Sequence, residues 1–123
     1  KWICITCGRT GKGSFMHAGH YISRKHNSTM FDERNVHAQC MNCNLWGYGN
    51  TGVYTLKLQE IYGQQIIKEL TDKSKEVHQW SVEELQELIK KLSPIHRTYE
   101  RMWVKNYFAP DGTINVELIN ENI

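Results

Sequence analysis

The chain has 123 residues, 40% of them hydrophobic and 23% charged, with a formal net charge of +2; this is the size of one ordinary domain with a modest core. It holds no run of about 18 apolar residues, which excludes a membrane-spanning helix, and Cys4, Thr6 and Gly8 interrupt the apolar Trp2, Ile3 and Ile5, so the start does not read as a signal-peptide core. Charge is unevenly spread: residues 1–50 carry six Lys/Arg against two Asp/Glu, and residues 51–123 carry nine against eleven. A basic half suits a phosphate-backbone ligand, although a randomly charged surface would look much the same. The first residue is Lys1 rather than Met, as expected for the tail of a longer protein.

In chain order, residues 1–50 are rich in Cys, His, Gly and Asn and read as short strands and loops around a metal. Residues 15–22 interleave aromatic and β-branched side chains with polar ones, which predicts a strand. Residues 35–39 predict a second short strand leading into the second cysteine pair. Gly47, Gly49 and Gly52 predict a loop after it. From Gly52 the pattern is helical, with Val53, Leu56 and Ile61 on the apolar stripe and Gly63 as its stop. Ile66, Ile67 and Leu70 predict a short second helix. Ser81 and Glu84 form a capping box at the head of a third. Its stripe runs through Val82, Leu85, Leu88, Ile89, Leu92, Tyr99, Met102 and Trp103, as core or as a dimer seam. Pro94 inside it either kinks one long helix or starts another with Ser93 as cap. Pro110-Asp111-Gly112 marks a turn before a short tail. The expected organisation is an α+β chain, with a metal-stapled core over residues 1–63 and a helical extension over residues 64–123.

All four cysteines fall in two C-x-x-C pairs, Cys4/Cys7 and Cys40/Cys43. Each pair makes a tight knuckle that aims two sulfurs at one point, and soft thiolates in a tetrahedron select zinc over magnesium or calcium. Such a site is closed to water and therefore structural. A redox pair or an iron site would use the same thiols but explains nothing else in the segment. Disulfides would need a secretory context, so the expected compartment is the cytoplasm. Zinc binding would also explain how so polar a half-domain folds. Between the pairs lie His17 and His20. On a regular strand they point to opposite faces, so a shared site requires a bulge near Gly19. Arg24, Lys25 and Arg34 flank this region and could hold phosphates, or simply be solvated. His37 could touch phosphate or pack. Trp46 and Tyr48 could stack on unpaired bases or belong to the core.

The order C-x-x-C, a strand with His, Asn five residues before the next pair, then C-x-x-C-Asn resembles a His-Asn-His (HNH) nuclease on a zinc-bound treble-clef frame. More narrowly, Ala18-Gly19-His20-Tyr21, Phe31-Asp32-Glu33-Arg34-Asn35, Gln39-Cys40-x-x-Cys43-Asn44 and Gly49-Asn50 are similar to the lambdoid-phage NinG/Rap family of recombination endonucleases. The likeness runs from Trp2 to Met102 and includes Tyr62-Gly63 and the helix start at Trp80-Ser81. It implies a ββα-metal fold, a phage or prophage origin and action on branched DNA such as Holliday junctions or D-loops. It further implies that His20 is the general base, that Asn35 fixes the loop carrying it, and that Asn44 is a ligand of a catalytic divalent ion. The wider class has Asp before the base, where this chain has Gly19. Family members have Asp three residues before the base, where this chain has His17, so His17 is the expected second ligand. Imidazole in place of carboxylate shifts the expected ion from magnesium toward manganese, nickel or zinc.

The expected function is thus a metal-dependent DNA endonuclease with structural zinc and a labile catalytic ion. A symmetric homodimer is expected, because a junction is cut on two strands. The alternatives are an HNH nickase or endonuclease on linear duplex, a zinc-stabilised DNA-binding module without catalysis, and, last, a protein-interaction zinc domain.

Overall fold

The computed structural model describes residues 2–104, with side chains described as far as Pro94. Two short antiparallel hairpins come first. Strand β1 (Trp2–Ile3) pairs with β2 (Thr10–Gly11), and β3 (Met16–His20) pairs with β4 (Val36–Cys40). A π-helical turn over Asn42–Trp46 leads to helix α1 (Thr51–Tyr62), followed by α2 (Ile66–Ser74) and α3 (Val82–Val104). The architecture is mixed α+β, with hairpins before helices. No described helix is long and apolar enough to cross a membrane.

The chain divides into two compact units, Trp2–Gln79 and one that begins at Trp80. In the first unit the fully buried apolar side chains of the helices are few: Tyr54 and Leu58 from α1, Ile66 and Leu70 from α2. Ile5, Tyr21, Ile22, Tyr62 and Ile67 pack against them. The apolar stripe expected on α1 is on the wrong face. Leu56 is 65% and Ile61 56% exposed, with Val53 also at the surface, whereas Tyr54 and Leu58 are buried one turn apart. Apolar residues ring this helix, so periodicity alone did not single out a face; the positions of α2 and β3 did. The helix stops where expected, at Gly63 with φ +98°, its N–H donating to the Gln59 carbonyl at 2.9 Å.

Helix α2 belongs to the first unit and ties down the long loop between β3 and β4. Lys73 contacts Asp32 at 2.7 Å, Arg34 contacts Glu69 at 2.8 Å, and the Ser28 hydroxyl donates to the Lys73 carbonyl at 2.6 Å. In the second unit, the Ser81 N–H donates to the Glu84 carboxylate at 2.9 Å and the Glu84 N–H to the Ser81 hydroxyl at 3.1 Å, the reciprocal capping box. Helix α3 runs through Pro94 as one helix, not two. The side chains of Tyr99, Met102 and Trp103, and the turn at residues 110–112, lie outside the described residues.

Candidate functional site

The four cysteine sulfurs converge, all lying within 4.8 Å of one another. Local backbone bonds build each knuckle. In the first, the Gly8 N–H donates to the Cys4 carbonyl and the Cys4 N–H to the Arg9 carbonyl, both at 2.9 Å. Gly8 sits at φ +74°, a conformation glycine adopts without strain. In the second, the Gly49 N–H donates to the Cys43 carbonyl at 2.9 Å, and the Asn50 amide reaches the Cys43 sulfur at 3.8 Å. The Cys7 and Cys40 sulfurs are 3.7 Å apart; a tetrahedron with Zn–S bonds of about 2.3 Å has an edge of about 3.8 Å, so the donor set fits zinc. The thiols themselves argue for a cation. Burial, with the neighbouring Cys4, Cys40 and Cys43, pushes Cys7 up to about 12. Cys4 goes the other way: burial raises it, but the Thr6 hydroxyl and backbone bonds at Cys40, Cys7 and Thr6 bring it to about 6. The four sulfurs could all be thiolates this close together only with a positive ion between them.

A second feature lies along β3. A cleft of about 600 Å³ is lined by His17, Ala18, His20, Ser23, Arg24, Asn44 and Leu45. The strand register runs unbroken from Met16 opposite Cys40 to His20 opposite Val36, so the bulge that a shared histidine site required is absent. Both histidines line the cleft without it. His20 is the last residue of the strand, and its ring folds back so that Nδ1 lies 3.2 Å from the Ala18 carbonyl oxygen. Its Nε2 lies 2.9 Å from the Met30 carbonyl oxygen. Both partners are carbonyl oxygens, so whichever ring nitrogen carries a proton donates; the Met30 contact is the shorter.

Asn35 explains why Met30 is in place. Its side chain is fully buried, with Oδ1 accepting from the Ile22 N–H at 2.8 Å and Nδ2 donating to the Ile22 and Thr29 carbonyls, each at 3.0 Å. One amide thus clamps both ends of the loop that carries the His20 acceptor. Asn44 and His17 meet directly, Asn44 Nδ2 lying 3.0 Å from His17 Nδ1. Gly19 is buried against Gln39: a Cβ there would lie 2.5 Å from Gln39 Oε1 and 2.6 Å from Gln39 Cβ. No carboxylate could occupy that position without displacing Gln39.

The four residues expected at phosphate divide two and two. Arg24 lines the cleft and Lys25 is exposed nearby. Arg34 is held by acids instead, at 3.1 Å from Asp32 and 2.8 Å from Glu69. Burial would raise the Asp32 carboxyl, but hydrogen bonds from Arg34 and Lys73 and the Lys73 charge hold it well below the usual carboxylate range. His37 is also engaged elsewhere. Its Nδ1 is 3.1 Å from the Tyr54 hydroxyl and its Nε2 2.9 Å from the Tyr62 hydroxyl, leaving no ring nitrogen for phosphate. Packing, the other reading of His37, matches this position. Sequence reasoning missed Tyr54, Tyr62 and Gln39 as partners of the cleft strands, because nothing in their spacing distinguishes them from ordinary core residues.

A family model described as the bacteriophage lambda NinG protein matches residues 2–101, a span that holds both cysteine pairs and every cleft residue. The chain belongs to the NinG family. Proteins named ninG from Escherichia phage 933W and Salmonella phage P22 are each 37% identical to it over 82 residues, and that of Escherichia phage lambda is 34% identical over the same length. Each match covers 66% of this chain and about two fifths of the relative (40%, 39% and 39%). No solved structure matches this NinG-family chain.

Proposed function

We propose that this NinG-family chain carries a metal-dependent DNA endonuclease centre of the HNH, ββα-metal type. The observation that carries the reading is the His20 geometry: Nε2 held 2.9 Å from the Met30 carbonyl oxygen, in a cleft shared with His17, Asn44 and Arg24, so that a proton kept on Nε2 leaves Nδ1 as the base. An imidazole oriented this way is a general base at neutral pH. In hydrolysis, His20 Nδ1 takes a proton from water as the water oxygen bonds to phosphorus, and the ester oxygen leaves. Asn35 keeps the acceptor loop in place and so fixes the tautomer of His20. Arg24 holds the phosphate as a charged fork.

His17 and Asn44 would hold the divalent ion, whose contribution when bound is to polarise the phosphoryl oxygen and stabilise the leaving alkoxide. Turning the Asn44 amide over lets Oδ1 accept from an Nδ1–H of His17 and frees the other ring nitrogen as a ligand. With imidazole in the set, manganese, nickel or zinc are favoured alongside magnesium. The four-cysteine centre holds a structural zinc with no part in the chemistry. Branched DNA is the proposed substrate, with linear duplex as the alternative, and a homodimer would bring two clefts to one junction. Val82 and Ile89, both exposed on α3, offer apolar surface for that seam.

One observation favours a second reading. Among the described residues no carboxylate lines the cleft, and a site without an anionic ligand could bind DNA without cutting it. The deciding experiment is cleavage of a labelled four-way junction and its matched linear duplex, with magnesium or manganese, by the zinc-loaded protein and by His20→Ala. Junction cleavage lost in His20→Ala supports the nuclease. Equal cutting of linear duplex removes the substrate assignment only. DNA binding with no cleavage in any metal leaves the binding module.

A further inference from the structure

Two large aromatic side chains just after the cleft residues in the chain have almost nothing covering them: Trp46 is 75% and Tyr48 92% exposed. They follow directly on Asn44 and Leu45, which line the cleft itself. The backbone that presents them is tied at every step. The Gly47 N–H donates to the Asn42 carbonyl at 2.7 Å, Gly49 N–H to Cys43 at 2.9 Å, and Asn50 N–H to Gly47 at 2.9 Å. The segment is therefore anchored to the second cysteine knuckle. Tyr48 also occupies the left-handed region, φ +54°, which disfavours a bulky side chain. A strained backbone that exposes an aromatic ring gains nothing for the fold.

We infer that Trp46 and Tyr48 form a stacking platform for unpaired bases, so that the segment after Asn44 selects DNA with single-stranded or splayed nucleotides near the scissile phosphate. The inference rests on the nuclease reading for the identity of the ligand and deepens it. Two observations choose this occupant. Arg24 lines the same cleft and Lys25 is exposed next to it, so a phosphate backbone and an aromatic face are offered side by side, as in single-strand binding surfaces. Bases within an intact duplex are already stacked on each other and cannot use the platform, whereas bases at a gap, fork or junction can. Leu45, 54% exposed between the cleft and Trp46, is placed to wedge against the last stacked pair.

The test is fluorescence anisotropy with labelled DNA and zinc-loaded protein, no other divalent ion being added, so that binding is read without cleavage. A duplex with a short single-stranded gap is compared with its fully paired counterpart. The combined Trp46→Ala, Tyr48→Ala variant should lose roughly tenfold or more in affinity for gapped DNA and little for paired duplex, and Trp46→Phe with Tyr48→Phe should restore it. Zinc content and circular dichroism confirm that each variant is folded. Equal losses on both DNAs, no loss on either, or unchanged DNA binding accompanied by loss of a protein dimer would each overturn the platform. The nuclease reading fails differently: cleavage would then be indifferent to His20→Ala, while a gap preference that depends on the two aromatics could persist.

Discussion

The imidazole of His37 and the phenol of Tyr54 are joined at 3.1 Å, and the direction of that bond is determined. The Tyr54 hydroxyl donates to the Gly19 carbonyl at 2.7 Å, so it must accept from His37 Nδ1–H. His37 Nε2 is then a lone pair, accepting from the Tyr62 hydroxyl at 2.9 Å. The chain Tyr62 → His37 → Tyr54 → Gly19 runs one way and ends on the residue before His20. Burial lowers the His37 pKa, in keeping with a neutral ring. The folded form thus binds a proton less readily than the unfolded chain, so this stability is full above about pH 6.5 and falls as pH drops below it. Thermal melts between pH 7.5 and 5.5 should show a decline that is smaller in His37→Gln. Tyr54→Phe should cost about 1–3 kcal/mol by urea unfolding, because it leaves a buried carbonyl and a ring N–H without partners.

Asn35 makes three side-chain bonds with no exposed surface. Asn35→Ala should destabilise the first unit by about 3 kcal/mol or more, since each buried group left unsatisfied costs about 1–3 kcal/mol. If the amide also positions Met30 for His20, cleavage by the folded fraction should fall as well. Single-turnover rates at a temperature where the variant is folded separate the two effects.

Asp32 is the hub of an acid-sensitive network with Arg34 and Lys73. Its carboxyl is held below the unfolded value, so its contribution is present above about pH 4 and lost as pH falls further. Acid titration followed by circular dichroism should show unfolding in that range. Asp32→Asn should be less stable than the wild type at pH 7 and show a weaker acid dependence.

Removal of metal should unfold the Trp2–Gln79 unit. Its helical core contains four fully buried apolar side chains, Tyr54, Leu58, Ile66 and Leu70, too few to hold two short hairpins unaided. Native mass spectrometry should find one zinc ion per chain at the cysteines. A strong chelator should abolish the folded signal, and Cys40→Ser should abolish it without chelator.

Gly19→Ala should destabilise measurably, because the added methyl meets the fully buried Gln39 side chain at 2.5–2.6 Å and forces it to shift. Gly19→Asp, which restores the acid usual before the base, should do worse and not rescue magnesium use. A stable Gly19→Asp protein with higher magnesium-dependent cleavage would contradict this account of the departure.

Much of this chain was legible without coordinates because the deciding forces are local. Each C-x-x-C knuckle, the strands expected over residues 15–22 and 35–39, the stop at Gly63 and the Ser81/Glu84 box depend on neighbours a few residues away, and the structure has strands at Met16–His20 and Val36–Cys40, the helix stop and the box. What only tertiary structure decided are contacts across long separations. His17 meets Asn44 from 27 residues away, Arg34 turns to Glu69 from 35 away, and His37 is claimed by Tyr62 from 25 away. The buried face of α1 belongs to this class too: its apolar residues point everywhere, and the packing of α2 and the β3 end selected Tyr54 and Leu58. Residue types and spacing set which chemistry is available, while burial and the partner across the fold determine which side chains remain free to perform it.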